Sequence, residues 1–345
     1  MSSVAEFKDF QAENVIGYVR ALPPPLTHIG PGILPLKEVD SLKSIWEVVN
    51  VKVTAGHLLG LDSEIPLDSP PAIKEISQAL CKIGKKRLIK EEEKAKLFRP
   101  RPGTRELATA TDYVYNVLRL LSEGVDDRIE EMRWKALSVG TYSYSKYGVV
   151  IEADWGIPLA NKPTADPVWS DVENADPLQD IIDWSEILIN AVGSGGVAAY
   201  CSTKVWGYLL QNAKIRNILS YVQSGKGPAF GTKAQVMGLM LNGQGLPIIG
   251  YDSKFNEEAA DTGISTLTRF LGDDKFVMLA SAEGLSPLGL GDFALGPVPD
   301  ANMASGKYAD FYTKREPFSE IARCIAFGFP RIFVPGAIIA ATVHE

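Results

Sequence analysis

The chain has 345 residues, with 35 Lys+Arg against 42 Asp+Glu, for a formal net charge of −7. Hydrophobic residues make up 46%, enough for a sizeable core, which excludes wholesale disorder and leaves one large domain or two ordinary ones. Its 31 glycines and 22 prolines follow no period, which excludes a collagen-like chain.

Residues 1–20 carry Glu6, Asp9 and Glu13 and lack a continuous apolar segment, so they do not read as a signal peptide. Residues 22–36 hold prolines at 23, 24, 25, 31 and 35. Fixed φ angles and missing donors predict an extended arm there, not a regular helix or a core element. Val49, Val51 and Val53 alternate with polar residues, a strand signal. Ile73, Ile76, Leu80 and Ile83 follow Pro70 and Pro71 at helical spacing and predict a short helix.

Residues 81–105 form a basic block with a net charge of +7. Ordering it costs about 1–2 kcal/mol of backbone entropy per residue, and its few apolar groups cannot offset that within one subunit. The block is therefore expected to be a solvated charged loop, or to be ordered by another chain or an anion. Residues 112–139 predict one long helix, with Val114, Val117, Leu118, Leu121, Val125, Ile129, Met132, Ala136 and Val139 on one stripe. Gly124 is a weak point in it and Gly140 its stop.

A strand follows, with Val149, Ile151, Ala153 and Trp155 on one face. Residues 151–186 are acidic, with a net charge of −8. Within them Asp176 and Pro177 open a helix as N-cap and first residue, with Gln179 placed for a capping box. Residues 187–251 contain no acid and carry +5. A helix is predicted over 202–221, then turns at Asn242-Gly243 and Pro247 between short β segments. The rest, through Val343, alternates short apolar runs with Gly/Pro turns, and the class is α+β.

Motifs for catalysis are weak. Cys81, Cys201 and Cys324 are odd in number, far apart and without a CxxC, which argues against disulfides and zinc and for a reducing compartment. His28, His57 and His344 form no metal-binding pair. Gly193-Ser-Gly195-Gly196-Val-Ala198 loosely fits a dinucleotide loop, but a helix precedes it and no acid follows until Asp252. It reads as a flexible turn. Glu152 and Asp154 beside Trp155 have the composition of a glycosidase site, although carboxylates two apart on a strand are ordinarily its solvent face. Gly225-Lys226-Gly227 lacks a phosphate-loop frame. No catalytic, cofactor-binding or metal-ligating residue is assigned. The run 334–343 holds Pro335 and Gly336 and is shorter than the ~20 residues that span a membrane.

The order of elements resembles the major capsid protein E family of tailed phages, the lambda-like branch of a fold shared with encapsulins. The resemblance rests on several pieces. Residues 126–140 are similar to a spine helix ending in E-M-x-x-x-A-L-x-x-G, and residues 245–251, Gly-Leu-Pro-Ile-Ile-Gly-Tyr, to a short strand and tyrosine in a hairpin. Residues 275–280 lead into a Gly296-Pro297-Val298-Pro299 turn, and residues 329–337 resemble a closing strand. The resemblance implies an N-arm (1–48), an E-loop region extended over a neighbour (49–105), a P-domain with the spine helix (106–175), an A-domain (176–300) and a return to the P-domain (301–345).

It also implies a non-enzymatic head protein of the virion capsid. Such a protein assembles in the host cytoplasm into hexamers and pentamers of an icosahedral shell around double-stranded DNA, without cofactor or membrane. A separate scaffolding protein, a portal, a candidate decoration protein and non-specifically contacted DNA are the implied partners. No matched Lys, Asn and Glu set is identifiable, so no cross-linking is expected. Under this reading the basic and acidic blocks are expected to meet between subunits, with Lys85, Lys86, Arg87, Arg99, Arg101, Asp171 and Glu173 as contact residues. The rival readings are an encapsulin-like compartment, a soluble enzyme with an unrecognised site, and a nucleic-acid-binding protein resting on residues 81–105 alone.

Overall fold

Val114, Val117, Leu118, Leu121, Val125, Ile129, Met132 and Ala136 are all buried, and they line one side of a 34-residue helix. The computed structural model describes residues 10–49, 73–89, 105–146, 148–222, 232–258, 265–281, 289–314 and 319–344. The helices are α1 (Ala12–Ala21), α2 (Gly30–Ile33), α3 (Arg105–Ser138), α4 (Pro177–Val192), α5 (Thr203–Gln211), α6 (Ala213–Val222) and α7 (Lys233–Gln244). The first strands are β1 (Leu36–Glu38), β2 (Lys43–Val49), β3 (Ile73–Ala79), β4 (Cys81–Ile89), β5 (Thr141–Lys146), β6 (Val149–Asp154), β7 (Gly196–Cys201) and β8 (Ile248–Gly250). They are followed by β9 (Lys254–Glu258), β10 (Ser265–Arg269), β11 (Lys275–Ala280), β12 (Gly291–Val298), β13 (Ala304–Ser305), β14 (Tyr308–Lys314), β15 (Ser319–Ile332) and β16 (Ile338–Thr342).

The chain divides into two compact units. The first comprises Met1–Ser44, Ser77–Met132 and Phe293–Pro330. Its sheet runs β1-β12-β15-β14, with β4 also on β15 and β13 on β12. The helix α3 covers this sheet: Lys307 reaches Asp126 and Ser122, and the Lys85 side chain lies over Gly124. That glycine leaves room for the lysine stem. The N-terminal residues join the same core. Val15 and Val19 of α1 are fully buried, Phe10 packs on Tyr115 and Phe311, and Arg20 donates to the Ser305 and Lys307 carbonyls. The proline-rich stretch departs from a uniformly extended arm. Pro31 sits at the start of the single turn α2, Gly30 N–H donates to the Glu130 carboxylate, Leu34 is buried, and β1 pairs in parallel with β12. Proline in the first helical turn loses no bond that the helix would have made.

The second unit comprises Ile45–Ile76, Arg133–Asp292 and Arg331–Glu345. Its main sheet runs β16-β11-β7-β8, and β5–β6 and β9–β10 are separate two-stranded ribbons. Strand β11 is central and its Phe276, Val277 and Met278 are fully buried. The helix α4 lies on this sheet through Trp184, which stacks on Trp169 at 5.6 Å and tilts on Phe276 at 5.9 Å. A second aromatic file joins Trp134, Tyr251, Phe270 and Phe255, with Trp134 and Tyr251 stacked at 4.7 Å.

Four sequence expectations need correction. The helix expected from Ile73 is two strands, β3 and β4, because β15 supplies nine register partners for β4 and buries Cys81, Ile83 and Ile89. The same pairing orders residues 81–89 within the chain, with no second molecule. The helix expected over 202–221 is two, broken at Asn212, whose side chain caps the second by accepting from Ile215 N–H. Asn242-Gly243 lies inside α7, not in a β turn; α7 starts with a complete capping box, Thr232 with Gln235, and stops at Gly245 with φ +66°. The strand β8 runs parallel to β7, so residues 245–251 are not a hairpin. Val51 and Val53 lie outside the described residues.

Elsewhere the local signals hold. Gly140 ends α3 at φ +74° and Gly193 ends α4 at φ +82°. Asp176 caps α4 by accepting from Gln179 N–H, while the Gln179 side chain turns to Asp183, so only half of a capping box forms. The glycine-rich 193–196 segment is a helix cap leading into β7, as a plain turn would be.

Candidate functional site

All three cysteines are buried and free. Burial pushes the Cys81 thiol up to about 11 and the Cys324 thiol up to about 12, and it raises Cys201 as well. These thiols stay protonated at neutral pH, and the thiolate is the nucleophile. Treatment of the native protein with a thiol reagent at pH 8 should label none of the three, and denaturation should release all three. Labelling of the folded chain would contradict the burial.

Glu152 and Asp154 stand exposed on β6, and Asp154 accepts from Gly156 N–H. Trp155 is turned into the core and is 1% exposed, so it offers no face to a sugar. His28 is bonded to Asp127, and His344 to the Asp273 carbonyl. No group of three or more potential metal ligands occurs among the described residues. A cavity of about 450 Å3 in the second unit is lined by Trp206, Lys233, Met237 and Asp252, among others. Its polar groups are already engaged. Lys233 lies 5.6 Å over the Trp206 ring, and Asp252 accepts from Thr203 and pairs with Arg269.

Burial alone would raise the Asp252 carboxyl, but the Thr203 and Arg269 hydrogen bonds outweigh it and hold it below the ordinary carboxylate range. A lowered carboxyl contributes stability above its unfolded pKa, and that contribution is lost as pH falls through the folded value. Asp252→Asn should therefore lower the melting temperature at neutral pH and flatten its decline in acid. An unchanged profile would show that the pair contributes nothing.

The predicted contact residues separate by location. Lys85, Lys86 and Arg87 are exposed on β4, opposite Cys324, Arg323 and Ala322 of β15. Strand alternation divides them. Lys85 and Arg87 share the face of Ile83 and Ile89, toward α3, whereas Lys86 stands on the opposite face with Arg323. Three consecutive basic residues therefore do not make one patch. Arg99 and Arg101 lie outside the described residues. Asp171 and Glu173 sit in the loop before α4, in the other unit. Asp171 accepts from the Asn174 side chain and backbone, and the side-chain bond chiefly holds its carboxyl below the usual range. Glu173 is exposed.

Several acids of the acidic block have local structural work. Asp180 accepts from Trp169 Nε1 at 2.7 Å, Asp176 pairs with Lys214 at 2.9 Å, and Asp183 accepts from Gln179. Sequence reasoning missed the strongest ion pairs. Lys307 meets Asp126 at 2.6 Å, Arg331 meets Asp292 with two bonds of 2.6 Å, and Arg323 meets Asp310 with two bonds and Asp300 with one contact. Lys307 and Asp126 lie 181 positions apart, so no spacing pattern announces them.

What the described surfaces offer is strand edges, exposed charge and half-exposed apolar side chains, a composition suited to contact with other protein. A family model described as phage major capsid protein E matches residues 70–317. No curated protein sequence matches the chain. Among solved structures, a phage-related protein from Bordetella bronchiseptica RB50 is similar at TM-score 0.54 and 11% identity, over 95% of each chain. A prophage protein of E. coli CFT073, assigned to the capsid, is similar at TM-score 0.54 and 16% identity, over 79% of this chain and 80% of that one. The SrpI encapsulin of Synechococcus elongatus PCC 7942 is similar at TM-score 0.39 and 12% identity, over 90% and 86%.

Proposed function

Because the chain belongs to the phage major capsid protein E family, a structural component of the virion shell that associates with copies of itself, we propose that it closes an icosahedral head of hexamers and pentamers around double-stranded DNA. The family match over most of the chain carries this reading. It is supported by the long helix and mixed sheets, and by fold-level similarity to the two structures at TM-score 0.54. A shell subunit works by complementary surfaces and needs no active site, so no catalysis is assigned. Residues 1–48 act as the N-arm, 49–105 as the E-loop region, 106–175 and 301–345 as the P-domain, and 176–300 as the A-domain. A scaffolding protein, a portal and the packaged DNA complete the partners, and assembly takes place in the host cytoplasm. A compartment packaging protein instead of DNA is the alternative on the same fold, and the family match favours the capsid.

The test is electron microscopy of the purified full-length protein, alone and co-expressed with the neighbouring reading frames. Closed shells or capsomers are expected, and a discrete monomer under both conditions would overturn the reading. Opposite charge blocks set register between subunits more than affinity. Reversing Lys85, Lys86 and Arg87 to Glu together should therefore lower shell yield on the order of tenfold, a loss of about 1.4 kcal/mol per contact step. Unchanged yield would remove these three residues from the contact.

A further inference from the structure

The shell reading leaves open where one copy grips the next, and two surfaces of this chain match each other in chemistry. The first is on the first unit. Register places Tyr312 opposite Ile321, and Ile321 opposite Leu88, so three apolar side chains stand side by side across β14, β15 and β4. Tyr312 is 37% exposed and Leu88 51%, and Ile321 between them is half-buried. The next register row on the same face is Asp310, Arg323 and Lys86. Arg323 is consumed there, bonded to Asp310 and lying 5.4 Å over the Tyr312 ring, which leaves exposed Lys86 as the cation beside the apolar row.

The second surface is the outer side of α4 in the second unit. Its inner side, Ile181, Trp184 and Leu188, is buried on the sheet. The outer side presents Ile182 at 40% exposure and Ile189 at 48%, with exposed Asp183 and Glu186 between them. Ile182, Glu186 and Ile189 fall four and then three residues apart and so share one helical face. One surface is apolar with a cation beside it; the other is apolar with two acids among its apolar residues.

We propose that the α4 stripe of one copy docks on the Tyr312–Ile321–Leu88 row of the next copy, with Glu186 facing Lys86; Asp183 is already engaged by the Gln179 side chain. A surface that fits a different surface of its own kind makes a head-to-tail contact, the kind of contact from which rings of copies are built when the rotation between them closes. On the row Lys86 stands beside the apolar side chains, and on α4 Glu186 stands between Ile182 and Ile189, so the apolar contacts and the opposite charges can meet in one docking. Nucleic acid fits the row less well, because Lys86 is the one exposed cation in the register row beside it and Arg323 is neutralised by Asp310.

The inference rests on the shell reading, and the experiment separates the two. Full-length wild type, Leu88→Glu, Ile182→Glu, Lys86→Glu and the Lys86→Glu/Glu186→Lys double variant are expressed under the conditions in which wild type closes shells. Yield is read by electron microscopy and sedimentation, folding by thermal melting, and nucleic acid content by absorbance. Each single variant should lose shells on the order of tenfold with its melting transition kept, and the double variant should recover most of that loss. Wild-type shells together with full yield from Leu88→Glu and Ile182→Glu overturn the inference and leave the shell reading intact. So does a double variant no better than Lys86→Glu, and this swap of two exposed side chains decides the matter if an apolar variant fails to fold. Full yield with lost nucleic acid overturns it in favour of a polyanion-binding face. If wild type forms no shells at all, the shell reading falls and the inference with it.

Discussion

Gly328→Ala is expected to be among the most damaging additions of a single methyl group at the described glycines. Gly328 lies in β15, where an added Cβ would stand 2.3 Å from Phe293 Cε1 and 2.9 Å from the Ala294 carbonyl oxygen. Both neighbours are fully buried. The ring has no solvent-exposed side, and the carbonyl belongs to the backbone of β12. Overpacking of a filled core costs roughly 1–3 kcal/mol and occasionally more, and a backbone collision places this case at about 3 kcal/mol or above. The midpoint of denaturant unfolding should fall accordingly at unchanged slope. Gly207→Ala is the control. It sits in α5 with nothing within 4 Å of the added carbon, and removing a helical glycine should stabilise by about 1 kcal/mol. Equal behaviour of the two variants would contradict the packing described for β12 and β15.

Asp126→Ala is expected to cost about 3–5 kcal/mol, because it strands the Lys307 ammonium without its partner. The pair is 2.6 Å apart with side chains 6% and 8% exposed, and Ser122 accepts from the same ammonium at 3.1 Å. One hydroxyl does not replace a carboxylate in a site closed to water. The double variant Asp126→Leu/Lys307→Met should recover most of the loss, since replacing both members of a buried pair by apolar groups is often close to neutral. Comparing the three unfolding midpoints measures the coupling. A double variant as unstable as Asp126→Ala would show that the cost lies in packing around α3, not in the uncompensated charge.

These two sites differ in how far the sequence announces them. The α3 stripe, the Gly140 and Gly193 stops and the Asp176 cap are written in residues a few positions apart, and the structure reproduces them. Gly328, Lys307 and Asp126 carry no such signal, because what makes them sensitive comes from chain 34 to 185 residues away. The misread segment at Ile73 shows the same limit. Its apolar spacing suits a helix, and only β15, more than 200 residues later, makes β4 a strand.

The candidate contact residues show both halves. The succession of structural motifs suggested the capsid family, and the charge sums, +7 over 81–105 and −8 over 151–186, then suggested contacts between subunits. They treated Lys85, Lys86 and Arg87 as one cationic group. Pairing with β15 decides otherwise, since alternation turns Lys85 onto α3 and leaves Lys86 outward beside Leu88. The sequence by itself determined which segments repeat at 3.6 residues, where they are capped, and which sign of charge each carries, because those properties depend on neighbours along the chain. Only the tertiary structure decided which face each charge occupies and which acid it meets, because strand register and long-range burial are set by partners that no local window contains.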